Sequence, residues 1–196
     1  MKTSQLKRRR VRAILAGGAV LGVGAVVTMA AWSDSEFVSG AFASGTFNLV
    51  GDATGEGFSD HADSSSAAEL AFSITAEKLT PGDLVTAPFA VALDEGTTYN
   101  ADVILSSVGV SDLNDVTYEI IQTTDFGCDE ATTGTPLVPA NTPLGTVPAG
   151  TDFDLTAPVG ETLSQVNLCF KVAAGTELNQ GASGDITWEF AAQSQS

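Results

Sequence analysis

The chain has 196 residues and a formal charge of −16 at pH 7, with 24 acids, eight lysines and arginines, and one histidine. Six of the eight basic residues precede position 13, so the remainder cannot build the basic face that phosphate backbones require. Nucleic acid is thereby excluded as a partner, and anionic membrane surfaces are disfavoured on the same ground.

Lys2, Lys7, Arg8, Arg9, Arg10 and Arg12 form a cationic head, and the first acid is Asp34. Between them, Ala13 to Trp32 is an uncharged, mostly apolar run ending in the small residues of Thr28-Met29-Ala30-Ala31. That order predicts a secretory signal peptide over 1–30, because the head stays in the cytoplasm while the run enters the bilayer. Cleavage is expected at Ala30–Ala31. As a helix the run would reach about 30 Å, enough for a permanent anchor. Gly17, Gly18, Gly22 and Gly24 make it weakly apolar and poorly helical, which favours removal. The Arg8-Arg9 pair is a weak twin-arginine signal, since Arg12 interrupts the stretch that should follow.

After the leader, two lysines (Lys78, Lys171) stand against 24 acids, a formal charge of −22. Such acidity suits solubility in a salty exterior, where screening acts over about 8–10 Å. Residues 31–196 fit one domain with its own core.

Apolar residues there recur with period two. Phe47 and Leu49 alternate with polar neighbours, then Leu70, Phe72 and Ile74, then Val85 to Leu93, then Val103 and Leu105. Val116, Tyr118 and Ile120 follow, then Phe153 and Leu155, Val166 to Val172, and Ile186, Trp188 and Phe190. Pro81-Gly82-Asp83, Asp94-Glu95-Gly96, Gly109, Gly150 and Gly175 punctuate them as turns. The pattern predicts an all-β fold, an antiparallel jelly-roll or immunoglobulin-like sandwich of about eight or nine strands. Two stretches fall outside it. Residues 51–69 are small, polar and acidic, and read as a long mobile loop. Residues 131–150 hold Pro136, Pro139, Pro143 and Pro148, and read as an extended excursion because proline cannot donate to a ladder.

Cys128 and Cys169 are the only cysteines, which suits one disulfide in an oxidising compartment. If Val166, Leu168, Phe170 and Val172 face the core, Cys169 points outward with Asn167 and Lys171. The bridge then staples the Phe126-Gly127-Cys128 turn onto the sheet surface.

Catalytic motifs are lacking. His61, in Asp60-His61-Ala62-Asp63, has no second histidine four residues away for a metalloprotease helix, and there is no Gly-x-Ser-x-Gly elbow. Asp52, Glu56, Asp60 and Asp63 supply carboxylates of the kind calcium uses, but at no calcium-loop spacing. No cofactor is expected. Trp188 and Tyr99 are candidates for stacking on sugars, although Trp188 shares the core parity of Ile186 and Phe190.

Thr28 to Asp34, followed by Phe42-Ala43-Ser44-Gly45-Thr46-Phe47-Asn48-Leu49, resembles the leader junction and first strand of TasA/camelysin-type secreted proteins. Leu79-Thr80-Pro81-Gly82-Asp83 with Val85 to Leu93 is similar to that family's turn and next strand. Gln180-Gly181 and Ile186-Thr187-Trp188-Glu189-Phe190 are similar to the closing strand of its actinobacterial members. The likeness covers residues 1–50 densely, 79–93 and 165–190 in patches, and neither long loop. It implies a SipW-type signal peptidase as partner during export, and a jelly-roll subunit at the cell surface. In some relatives the subunit joins biofilm-matrix fibres by giving an N-terminal strand, here 37–49, to a neighbour. Camelysin relatives have been called metallopeptidases, an activity for which this chain lacks the histidines. The expectation is a secreted, non-catalytic surface or extracellular-matrix protein. The alternatives are a secreted metallopeptidase-like hydrolase and a calcium- or carbohydrate-binding module.

Overall fold

The computed structural model describes residues 7–15, 36, 38–41, 44–73, 76–160 and 162–195. The chain divides into two units, Met1–Ala43 and Ser44–Ser196. In the first, residues 7–15 form an exposed helix that carries five of the six basic side chains of the leader. No helix among the described residues is long and apolar enough to cross a membrane.

Among the described residues, the second unit has eight strands. They are β1 (Leu49–Asp52), β2 (Leu84–Leu93), β3 (Ala101–Ser111), β4 (Val116–Thr123), β5 (Thr135–Pro143), β6 (Asp152–Leu155), β7 (Gln165–Ala174) and β8 (Gly184–Ser194). A five-stranded sheet runs β1-β2-β7-β4-β5 and a three-stranded sheet runs β6-β3-β8. Every pairing between these strands is antiparallel. The chain is an all-β sandwich.

Period two is what places the core. Val85, Val91 and Leu93 from β2, Tyr118 and Ile120 from β4, and Leu168, Phe170 and Val172 from β7 meet Val103, Leu105, Phe153 and Leu155 of the other sheet. Aromatic rings bind the layers together. Trp188 on β8 lies 5.1 Å from Phe170 and 5.6 Å from Tyr118, centroid to centroid. Phe190 stacks on Phe89 at 5.6 Å and meets the Phe153 ring edge-on at 6.2 Å. Such pairs add about 0.5–1.5 kcal/mol each beyond area burial.

Three expectations are corrected. No strand forms at 70–73, and Ile74 lies outside the described residues; Leu70 and Phe72 do pack against the core. Alternation reports which side chains turn inward, not whether the backbone finds a neighbour. Here the backbone donates one bond, Ser73 N–H to the Thr86 carbonyl at 2.7 Å. Second, 131–150 is no excursion outside the sheet, because 135–143 is β5, paired to β4 with two register shifts. Pro136, Pro139 and Pro143 are accommodated because β5 is an edge strand, where one row of donors is not needed. Third, 51–69 is locally organised. Gly51 and Asp52 belong to β1, Gly51 and Ser59 exchange two 2.9 Å backbone bonds, and Ser64–Ser66 is a 3-10 turn.

The edges differ in exposure. Gln195 N–H donates to the Asn100 carbonyl and Asp112 N–H to the Ser183 carbonyl. With the unbroken β3–β8 register, the backbone groups of odd-numbered β8 residues therefore face β3. Those of Ile186, Trp188, Phe190 and Ala192 turn to the open side, where the described residues offer them no hydrogen bond. The β8 edge is 11 residues long and free of proline.

Candidate functional site

The outer face of β7 carries a buried polar construction. Leu168, Phe170 and Val172 point inward, so Asn167, Cys169 and Lys171 point outward, yet all three are buried. What covers them is the β4–β5 connection, residues 124–134, laid across the sheet as a strap. Each outward side chain holds one part of it. Asn167 Nδ2 donates to the Thr124 carbonyl at 3.1 Å. Cys169 is bonded to Cys128, with Cα atoms 5.1 Å apart. Lys171 Nζ donates to the carbonyls of Thr132 at 2.6 Å and Glu130 at 3.0 Å, and the Glu119 carboxylate lies 3.8 Å away. From β2, Thr86 Oγ1 donates to the Cys128 carbonyl at 3.3 Å. The expected disulfide is present and joins the expected surfaces.

Beside the strap an open depression of about 470 Å³ is lined by Ser73, Asp83, Thr86, Cys128, Asp129 and Glu130. The Asp129 carboxyl sits below the usual carboxylate range, held ionised first by the Thr132 hydroxyl and then by backbone N–H groups, with Lys171 adding attraction. A second depression, about 460 Å³, runs between Ile104–Ser107 and the 145–151 connection.

The acidic segment after β1 is organised by one buried carboxylate. Burial pushes the Asp52 carboxyl up, but N–H groups of Thr54, Gly55 and Gly57 and the Thr54 hydroxyl outweigh it, so the net shift is downward. Those N–H groups lie at 2.8, 2.8 and 3.0 Å. Asp52 is thus spent on its own loop and is not turned toward Glu56, Asp60 or Asp63. Asp63 is likewise tied to Ser65. Among the described residues, no three His, Cys, Asp or Glu side chains gather as metal ligands do. His61 contacts Ser59 Oγ through Nε2 and the Ser66 carbonyl through Nδ1, both at 2.9 Å, so its ring is a cross-brace of the loop. Trp188 packs against Tyr118 in a tilted contact and Phe170 in an edge-type contact, and among the described residues its buried Nε1 has no hydrogen-bond partner. Tyr99 is exposed.

Ala30 and Ala31, the expected cleavage residues, and Phe37 and Phe42 of the expected exchange strand lie outside the described residues. From Ser44 the chain leans on the β2–β3 turn. Thr98 N–H donates to the Thr46 carbonyl at 3.3 Å, and Asp94 N–H to the Asn48 carbonyl at 3.0 Å. Leu49 to Asp52 then pairs with β2 of the same chain, and the exposed Phe47 precedes it.

Sequence reasoning missed the part that Asn167, Lys171 and Thr86 play beneath the strap. One signal was available: a lysine on a strand whose other face is apolar, in a domain with almost no cations, needs partners if anything covers it. No protein-family model matches this chain, and no curated protein matches it.

Proposed function

We propose that this chain is an exported, non-catalytic structural protein of the cell surface or extracellular matrix. It is a jelly roll of TasA/camelysin type that associates with copies of itself through residues 37–49. The observation that carries this reading is the open edge of β8. An eight-stranded jelly roll pairs its first strand with its eighth, and its remaining order is the β2-β7-β4-β5 and β6-β3-β8 found here. In this chain β1 pairs with β2 instead, and among the described residues no strand lies beside β8 on its side away from β3. A strand from a neighbouring copy would fill it, and head-to-tail filling does not close. The basic head, the apolar run and the disulfide support export through a SipW-type peptidase into an oxidising space. The acidic charge makes assembly depend on salt, divalent cations or acid.

N-terminal sequencing of protein from culture medium should give a start at Ala31 or Trp32. Light scattering and electron microscopy should show salt- or calcium-dependent polymers that vanish when 31–49 is deleted. Protein retained in membranes with Met1 intact, or monomers under every condition, overturns the reading. So does chelator-sensitive casein cleavage by the homogeneous protein.

A further inference from the structure

The two cysteines of the disulfide differ in exposure. Cys169 is fully buried in the middle of β7, whereas Cys128 is half-buried and forms part of the wall of the depression beside the strap. Three acidic residues, Asp83, Asp129 and Glu130, line that depression, and among the described residues no lysine or arginine does. Lys171 lies under the strap with its ammonium on carbonyl oxygens.

We propose that Cys128 is the sole entry point for thiol–disulfide exchange and that the surrounding carboxylates select the attacking thiol by charge. The staple is then a switch opened by zwitterionic or uncharged thiols and closed to anionic ones. In the first step an external thiolate bonds to Cys128 Sγ, the Cys128–Cys169 bond breaks, and the electron pair leaves on Cys169 Sγ, which takes a proton from water. A second thiolate attacks the external sulfur of the mixed disulfide and releases Cys128 as a thiolate, which also takes a proton from water. Two thiols become one small disulfide, and the protein gains two electrons and two protons. The strap then keeps only its non-covalent holds, among them the hydrogen bonds from Asn167, Thr86 and Lys171. Repulsion from three carboxylates at a half-open site is a short-range, screenable effect, so it sets rates at low salt and fades at high salt.

The test uses the full oxidised chain with three small thiols whose thiolates carry net charges of zero (cysteamine), −1 (2-mercaptoethanol) and −2 (2-mercaptoethanesulfonate). Rates are taken per thiolate and normalised to the same thiols acting on a small uncharged disulfide. Cysteamine should outrun the sulfonate by about tenfold or more near 10 mM ionic strength, with the ratio collapsing toward one at 1 M. Glu130→Gln with Asp129→Asn should shrink the ratio at low salt. Acid-trapped intermediates should carry the thiol on Cys128 in peptide mass maps. A ratio near one at low salt, an unchanged ratio in the double variant, or trapping on Cys169 would each overturn the proposal.

Discussion

Cys169 and Lys171 stand two residues apart on the same face of β7 and hold the same overlying segment. One holds it by a covalent bond to Cys128, the other by two hydrogen bonds to the carbonyls of Glu130 and Thr132. The strap is therefore fixed twice within a few residues, once against chain entropy and once against desolvation of a charge.

Replacing Cys128 and Cys169 together by serine should destabilise the sandwich by up to about 4 kcal/mol. That is the chain-entropy value for closing a separation of 41 residues. Urea denaturation of the variant beside the oxidised parent measures it; coincident midpoints would refute it.

Lys171→Met keeps the length of the side chain but removes its charge and donors. Two strap carbonyls and the Glu119 carboxylate then lose their cation, at an expected cost of about 2–3 kcal/mol. The melting temperature should fall even with the disulfide intact. An unchanged melting temperature would show that the carbonyls are satisfied without the ammonium.

Asp52 makes stability depend on acid. Its carboxyl is depressed when folded, so its contribution is complete above its ordinary value of 3.8 and is lost as pH falls through the lower folded value. Asp52→Ala should cost about 1–3 kcal/mol at neutral pH, by stranding the N–H groups of Thr54, Gly55 and Gly57. The difference between variant and parent should narrow below that range. A gap that stays constant from pH 7 to strong acid would contradict the assignment.

Within residues 44–195 trypsin has two targets, exposed Lys78 and buried Lys171. Brief digestion of the folded protein should cut after Lys78 and leave Lys171 whole. Mass spectrometry of the fragments decides, and early cleavage at Lys171 would mean the strap opens readily.

Most of the sandwich was readable because its strands bury one face, and that leaves a two-residue rhythm in the chain. Leu168, Phe170 and Val172, or Ile186, Trp188 and Phe190, announce both strand and direction. The same parity set Cys169 outward and so located the surface it is stapled to. What the rhythm does not encode is pairing. Leu70 and Phe72 alternate without a ladder, whereas β5, with three prolines and one fully buried residue, Val138, has a ladder without the rhythm. The polar site was hidden for a related reason. Asn167 and Lys171 look like solvent-facing residues until a distant segment covers them, and nothing local says which segment that is.

The disulfide also bears on how the protein takes load. Leu49 enters at the outermost strand of one sheet and Ser194 leaves at the outermost strand of the other. Tension between the two ends thus reaches β1 and β8 first and can peel them in turn. The stretch between Cys128 and Cys169 lies outside that line of force. Roughly 140 Å of contour, at about 3.4 Å for each of its 41 residues, stays folded away while the bond holds. A protein tethered at one end would stretch only so far, then stiffen.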